Sequence, residues 1–236
     1  MRSLKSLHKL KLLPFVKELQ FRSWREVWTG TFSRVDPAIF SSRNMRYFRA
    51  MINLQELKIV GLDFSKFPVG LGKCLGHFSP TLRSVSLDRP RSTRRQLLDF
   101  FRLFKMLDDI EIRRHWAVPP EYEEPDNQLV PAEGGLRGQL ILHAFDDEGL
   151  LRDMAVTFGR MRFTSMDLRN NMRGIGFLLK TCARTLETLY LRPVPKDNPD
   201  RCEGVFDPWG TFLTLGSISK FTLKTSTCRP TPSFGL

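Results

Sequence analysis

One spacing recurs along this chain: an apolar residue, a second three positions later, and a third two positions beyond that. It occurs at Val16/Leu19/Phe21, Leu54/Leu57/Ile59, Leu82/Val85/Leu87, Leu107/Ile110/Ile112, Phe163/Met166/Leu168, Leu186/Leu189/Leu191 and Ile218/Phe221/Leu223, with a looser copy at Leu140/Leu142. From Leu54 to Ile218 six steps cover 164 residues, a mean period of roughly 27, within the range of leucine-rich repeats. A unit of this size cannot bury its own apolar face, whereas stacked units share one continuous core. The spacing therefore constrains the architecture more than any composition does.

In each copy the last two apolar positions alternate with polar residues, the pattern of a strand with one buried face. Between copies the period becomes helical. Leu71, Cys74, Leu75 and Phe78 fall at i, i+3, i+4 and i+7, as do Ile175, Leu178, Leu179 and Cys182, and each set makes one apolar stripe. A helix over 93–105 opens with Thr93 and Gln96 at capping-box spacing. Another over 148–158 opens behind Asp146 and Asp147, with Leu150, Leu151, Met154, Ala155 and Phe158 on its core side.

These patterns predict an α/β fold: a single irregular leucine-rich-repeat-like solenoid over residues 1–236, its parallel strands on the concave face and its helices on the convex face. Side chains alternate across a sheet, so the residues flanking each inward position make up the concave surface. They are Glu56, Lys58 and Val60, then Ser84, Ser86 and Asp88, then Asp109, Glu111 and Arg113, then Gln139, Ile141 and His143, then Ser165, Asp167 and Arg169, then Thr188, Tyr190 and Arg192, and finally Lys220, Thr222 and Lys224. Regular repeats place an Asn three positions after the last apolar residue to bond neighbouring turns. Only Asn171 stands there; Leu62, Pro90, His115, Val194 and Ser226 occupy the place elsewhere. The turns must satisfy their backbone groups by other means. Residues 113–135, with four prolines and a run of acids, read as an exposed loop insertion, and residues 226–236 as a flexible tail.

Length and a 41% hydrophobic content suit one substantial core. No apolar run approaches the roughly 18 residues of a membrane span, and the N-terminus lacks the uninterrupted apolar stretch of a secretory leader. Cys74, Cys182, Cys202 and Cys228 are far apart with no CxxC pair. That suits reduced thiols in an intracellular protein, cytoplasmic or nuclear. Charge is uneven: residues 1–115 hold 23 Lys/Arg against 10 Asp/Glu, an excess of 13, while residues 116–236 hold 14 against 15. This asymmetry bears on acidic partners rather than on fold.

Catalytic and cofactor readings fail on spacing. In "VGLGKCLG", Phe67 stands where a phosphate loop needs its first glycine and Cys74 where it needs Ser or Thr; a turn opening the helix through Leu75 and Phe78 fits better. His8, His77, His115 and His143 pair with no cysteine or carboxylate at metal-ligand spacing. Glu121, Glu123 and Glu124 sit in the proline-rich stretch and read as solvated charges. No catalytic residue, metal site or cofactor is assigned. "RPRSTRR" at 89–95 reads as the solvated first turn of a helix, with a basic localisation patch or a phosphorylation site at Ser92 as the functional alternatives.

The stretches "GHFSPTLRSVSLDRPRSTRRQLLDFF", "RMRFTSMDL" and "CARTLETLYLRP" resemble the irregular leucine-rich-repeat region of fungal F-box-type proteins, over about residues 10–225. No Leu-Pro-x-Glu F-box signature precedes "LLPFVKEL". The resemblance implies a repeat region that holds a substrate for a cullin–RING ubiquitin ligase, whose adaptor docks on the F-box. From the residues themselves the expectation is a non-enzymatic protein-interaction scaffold. The column directly after each unit's last apolar residue runs Val60, Asp88, Arg113, His143, Arg169, Arg192, Lys224. Its last five members are basic or imidazole, with Ile141 and Tyr190 alongside. An acidic protein segment across Arg113, His143, Arg169, Tyr190, Arg192 and Lys224 is the expected partner. The alternative is electrostatic binding of nucleic acid or anionic membrane through Arg43, Arg46, Arg49, Arg91, Arg94, Arg95 and Arg102.

Overall fold

The computed structural model describes residues 2–21, 42–64, 72, 75–105, 107–118, 135–145, 148–159, 161–170 and 175–192. Seven strands form one parallel sheet: β1 (Glu18–Phe21), β2 (Glu56–Val60), β3 (Ser84–Asp88), β5 (Asp109–Arg113), β7 (Arg137–Phe145), β8 (Arg162–Asn170) and β9 (Thr188–Arg192). They are neighbours in chain order, so each new strand adds to the edge left by the one before. Two short strands, β4 (Arg91–Ser92) and β6 (Trp116–Ala117), pair with each other in parallel beside it.

The recurring spacing reappears as register. Leu57, Val85, Ile110, Leu140, Met166 and Leu189 stand opposite one another across six strands, and all six are fully buried. Ile59, Leu87, Ile112, Leu142 and Leu168 form the next buried row. Burying each such side chain contributes about 1.5–3 kcal/mol. Phe221 of the last copy of the spacing, like the tail at 226–236, lies outside the described residues.

The helices cover this apolar face. They are α1 (Arg2–Lys9), α2 (Ser42–Arg49), α3 (Arg94–Arg102), α4 (Glu148–Thr157) and α5 (Ile175–Cys182). Phe48 of α2, Leu97, Leu98 and Phe101 of α3, Leu150 and Met154 of α4, and Leu178 and Cys182 of α5 join the strand residues in one buried cluster. Helix α3 starts where its capping box requires: Thr93 Oγ1 accepts from the Gln96 N–H at 3.2 Å, and Gln96 Oε1 accepts from the Thr93 N–H at 3.0 Å. Leu75 and Phe78 of the 71–78 stripe are buried; Leu71 and Cys74 lie outside the described residues, as do the capping positions Asp146 and Asp147.

The missing Asn ladder is replaced by a repeated turn. The residue after each of three successive strands takes the left-handed backbone conformation: Gly61 (φ 73°), Arg89 (φ 54°) and Arg114 (φ 53°). Each N–H then donates to the last carbonyl of the next strand's open-face column: Gly61 to Asp88 at 2.8 Å, Arg89 to Arg113 at 2.8 Å and Arg114 to His143 at 2.7 Å. Glycine adopts this conformation freely, whereas an arginine there costs about 1–2 kcal/mol. At Arg114 the side chain adds a compensating contact, a two-pronged bridge back to Asp88 at 3.0 and 2.5 Å.

Two local readings change. The expected loop at 113–135 is ordered over its first residues: Arg113 closes β5, His115 is buried and Trp116–Ala117 form β6. Residues 119–134 lie outside the described residues. Ser92 is not on a solvated helix turn. It is 0% exposed in β4 and shares a 3.0 Å hydrogen bond with the buried His115, so the folded chain does not present it for phosphorylation.

Candidate protein-interaction face

Alternation along the strands leaves the other side of the sheet uncovered by the described helices, its residues half-buried or exposed. Three rows cross it. The first is Glu18, Glu56, Ser84, Asp109, Gln139, Ser165 and Thr188; the second is Gln20, Lys58, Ser86, Glu111, Ile141, Asp167 and Tyr190. The third is Val60, Asp88, Arg113, His143, Arg169 and Arg192. Register thus places the backbone of Arg113, His143, Arg169 and Arg192 on four adjacent strands, about 4.8 Å from one to the next. Tyr190 stands in the neighbouring row, beside Asp167. Lys224 lies outside the described residues.

Near-neighbour carboxylates temper the charge of the third row. Arg113 is exposed, and its Nε donates to Glu111 Oε1 at 2.6 Å, while the other Glu111 oxygen accepts from Ser86 Oγ at 2.6 Å. His143 Nε2 lies 3.7 Å from Asp167 Oδ2. Sequence reasoning put Glu111 and Asp167 on this face but not in these pairs. The available signal was the Glu-x-Arg at 111–113, since residues two apart on a strand share a face.

The first row is acidic. Lys58 bridges Glu18 at 2.8 Å and Glu56 at 3.2 Å, and these hydrogen bonds, Glu18 first, raise the Lys58 pKa. Burial pushes the Asp109 carboxyl above its ordinary range, against the hydrogen bond from the Gln139 N–H, with Asp108 and Glu56 adding like charge. Carboxylates thus stand at the starts of β1, β2 and β5, and arginines at the ends of β5, β8 and β9.

Four of the seven arginines of the electrostatic alternative are engaged locally, while Arg49 and Arg91 are exposed and the Arg43 side chain lies outside the description. Arg94 faces Asp153 at 3.8 Å, Arg95 faces Asp99 at 3.8 Å and Arg102 contacts Asp99 at 3.0 Å. Arg46 lies over the Tyr47 ring. The four histidines are dispersed: His8 packs on Tyr47, His77 donates to the Arg49 carbonyl, His115 meets Ser92, and His143 lies in the third row. Among the described residues no three His, Cys, Asp or Glu side chains gather as metal ligands, and no helix is long and apolar enough to cross a membrane. Cys182 is a buried free thiol whose pKa burial raises to about 11, so it stays protonated at neutral pH.

No family model, curated protein or solved structure matches this chain. The functional reading rests on the geometry of the open sheet face.

Proposed function

We propose that this chain is a non-enzymatic protein-interaction scaffold. In this reading it is a leucine-rich-repeat-like solenoid with the open sheet face on its concave side, and that face holds an acidic segment of a partner protein. The observation that supports it most is the register of Arg113, His143, Arg169 and Arg192 along one row. A segment laid across the strand ends meets these four in order, with Tyr190 and Ile141 as neighbouring anchors; Lys224, the next member of the column by sequence spacing, lies outside the described residues. Arginine and tyrosine side by side are the makeup of interface hot spots. The Arg113–Glu111 pair does not oppose this, because an exposed ion pair is worth only about 0–1 kcal/mol and an incoming carboxylate exchanges for it at little cost. The resemblance to the repeat region of F-box-type proteins supplies a setting for the scaffold, substrate recognition for a cullin–RING ubiquitin ligase.

The test is charge reversal at two distant points of the molecule, read as binding to immobilised peptides rich in Glu and Asp. Arg169→Glu with Arg192→Glu is expected to weaken binding about tenfold or more, since it replaces attraction by like-charge contact across the row. Arg94→Glu with Arg95→Glu is expected to leave it unchanged. The opposite pattern moves the site to the helices and to the electrostatic alternative.

A further inference from the structure

Exposed apolar side chains are gathered at one end of the sheet. Among the described residues six large apolar side chains are exposed, and four of them, Leu10 (66%), Leu12 (42%), Phe15 (75%) and Ile52 (56%), belong to the two turns that enter β1 and β2. These turns are built, not loose. Helix α1 ends at Lys11 in the left-handed conformation (φ 55°), with the Leu12 N–H on the Leu7 carbonyl at 2.9 Å and the Lys11 N–H on the His8 carbonyl at 3.0 Å. That is the bonding of a Schellman cap. A single 3-10 turn, Leu13–Phe15, then points Leu13 into the core and leaves Phe15 outside. Asn53 Nδ2 donates to the Pro14 carbonyl at 2.9 Å and ties the Ile52 turn to the Phe15 turn.

The fold does not require these side chains to be apolar. When the units are aligned on their first apolar position, Ile52 corresponds to Pro14, Pro80, Lys105, Met161 and Arg184, and Phe15 corresponds to Asn53, Thr81, Met106, Arg162 and Thr185. These are polar residues or proline, except for two methionines: Met161, which is buried, and Met106, which lies outside the described residues. The surrounding charge is one-sided as well. Lys5, Lys9, Lys11 and Lys17 are exposed and make no ion pair among the described residues, while nearby Glu18 is already held by Lys58. This contrasts with α3, where Arg94, Arg95 and Arg102 all face carboxylates.

Apolar tips ringed by uncompensated lysines match a surface that is apolar underneath and negative on top. We infer that this end of the molecule docks reversibly on an anionic lipid surface, with Phe15, Ile52 and Leu10 entering the headgroup boundary and the lysines meeting phosphates and carboxylates. Among the described residues these apolar side chains stand exposed on turn tips. A deformable lipid layer accepts such tips directly, whereas a protein partner needs a matching cleft. Neither signal is strong alone, so the contact depends on both. It shares no residue with the proposed acidic-segment site, and either stands if the other fails.

Co-sedimentation of the full chain with phosphatidylcholine vesicles, and with vesicles part-substituted by phosphatidylserine, tests this. The expected result is partition onto the phosphatidylserine vesicles alone, weakened by salt. Phe15→Ser with Ile52→Ser is expected to reduce that partition about tenfold or more, and Lys5→Glu with Lys17→Glu to reduce it comparably. Arg94→Glu with Arg95→Glu leaves it unchanged. The substituted side chains are exposed, and thermal melts of each variant matching the parent establish that the fold is kept. Equal partition onto both vesicle types, partition onto neither, or a Phe15/Ile52 variant that sediments like the parent overturns the inference; partition onto neither assigns the patch to a protein contact instead.

Discussion

The two faces of the sheet are built from the same seven strands and obey opposite rules. On the helix side, Leu57, Val85, Ile110, Leu140, Met166 and Leu189 differ little from strand to strand, and each is fully buried. On the open side the middle row does not repeat at all: Lys58, Ser86, Glu111, Ile141, Asp167 and Tyr190 are six different residues on six adjacent strands. Dense packing forces the uniformity of the first face, since a missing methylene or a misplaced polar atom is felt there. Water relaxes the second. Strand parity thus separates the residues that maintain the fold from those free to define a partner.

The largest effect that tests this separation is expected from Val85→Asp. It buries an unpaired carboxylate among apolar side chains and is expected to cost more than about 4 kcal/mol. Because β3 pairs with both β2 and β5, the damage should appear in hydrogen exchange as lost protection over 56–60 and 109–113. Gly138→Ala comes next. Gly138 has φ 77°, and a Cβ there meets the carbonyl oxygen of Asp108, so backbone must shift; about 2 kcal/mol or more is expected in a denaturant titration. Ser86→Asp, one residue from Val85 on the other face, sets a carboxylate against Glu111 and loses one hydrogen bond. Its cost should stay under about 1 kcal/mol, and a loss as large as that of Val85→Asp breaks the separation.

The smallest effect carries a pH signature. Burial, with Asp108 and Glu56 adding like charge, raises the Asp109 pKa in the folded chain, so the folded protein binds this proton more tightly than the unfolded one. Its contribution favours folding at acid pH and is lost as the pH rises through the carboxylate range. Asp109→Asn is therefore expected to stabilise the protein at neutral pH, by a few tenths of a kcal/mol because the group is largely exposed, and to bring no gain below about pH 4. Urea midpoints at the two pH values check the sign.

Strand positions, strand register and the α3 cap were legible in the sequence because each is a local rule: alternation for Val85 and Leu87, a three-residue interval for Thr93 and Gln96. The row containing Arg113 and His143 followed from the same alternation. What stayed hidden depends on pairs far apart in the chain. Ser92 and His115 are 23 residues apart and meet only because β4 and β6 lie side by side. The pairing of Arg114 with Asp88 spans 26 residues. The left-handed turns at Arg89 and Arg114 leave no mark in the sequence, because that conformation ordinarily goes with glycine. Phe15 and Ile52 fit an apolar pattern equally well inside or outside, so sequence alone did not mark them as exposed.

Those left-handed turns also give assembly a direction. Gly61 closes on a carbonyl of β3, Arg89 on one of β5, and Arg114 on one of β7, so each turn is completed by a strand synthesised after it. A chain emerging from the ribosome folds one unit behind its own growth. Each of these three turns carries an open N–H until the strand that follows it is in place. A stop after residue 88 leaves Gly61 satisfied and a stop after residue 113 leaves Arg89 satisfied, whereas a stop just past residue 89 or 114 adds an arginine whose N–H has no partner strand, so viable endpoints advance in whole units.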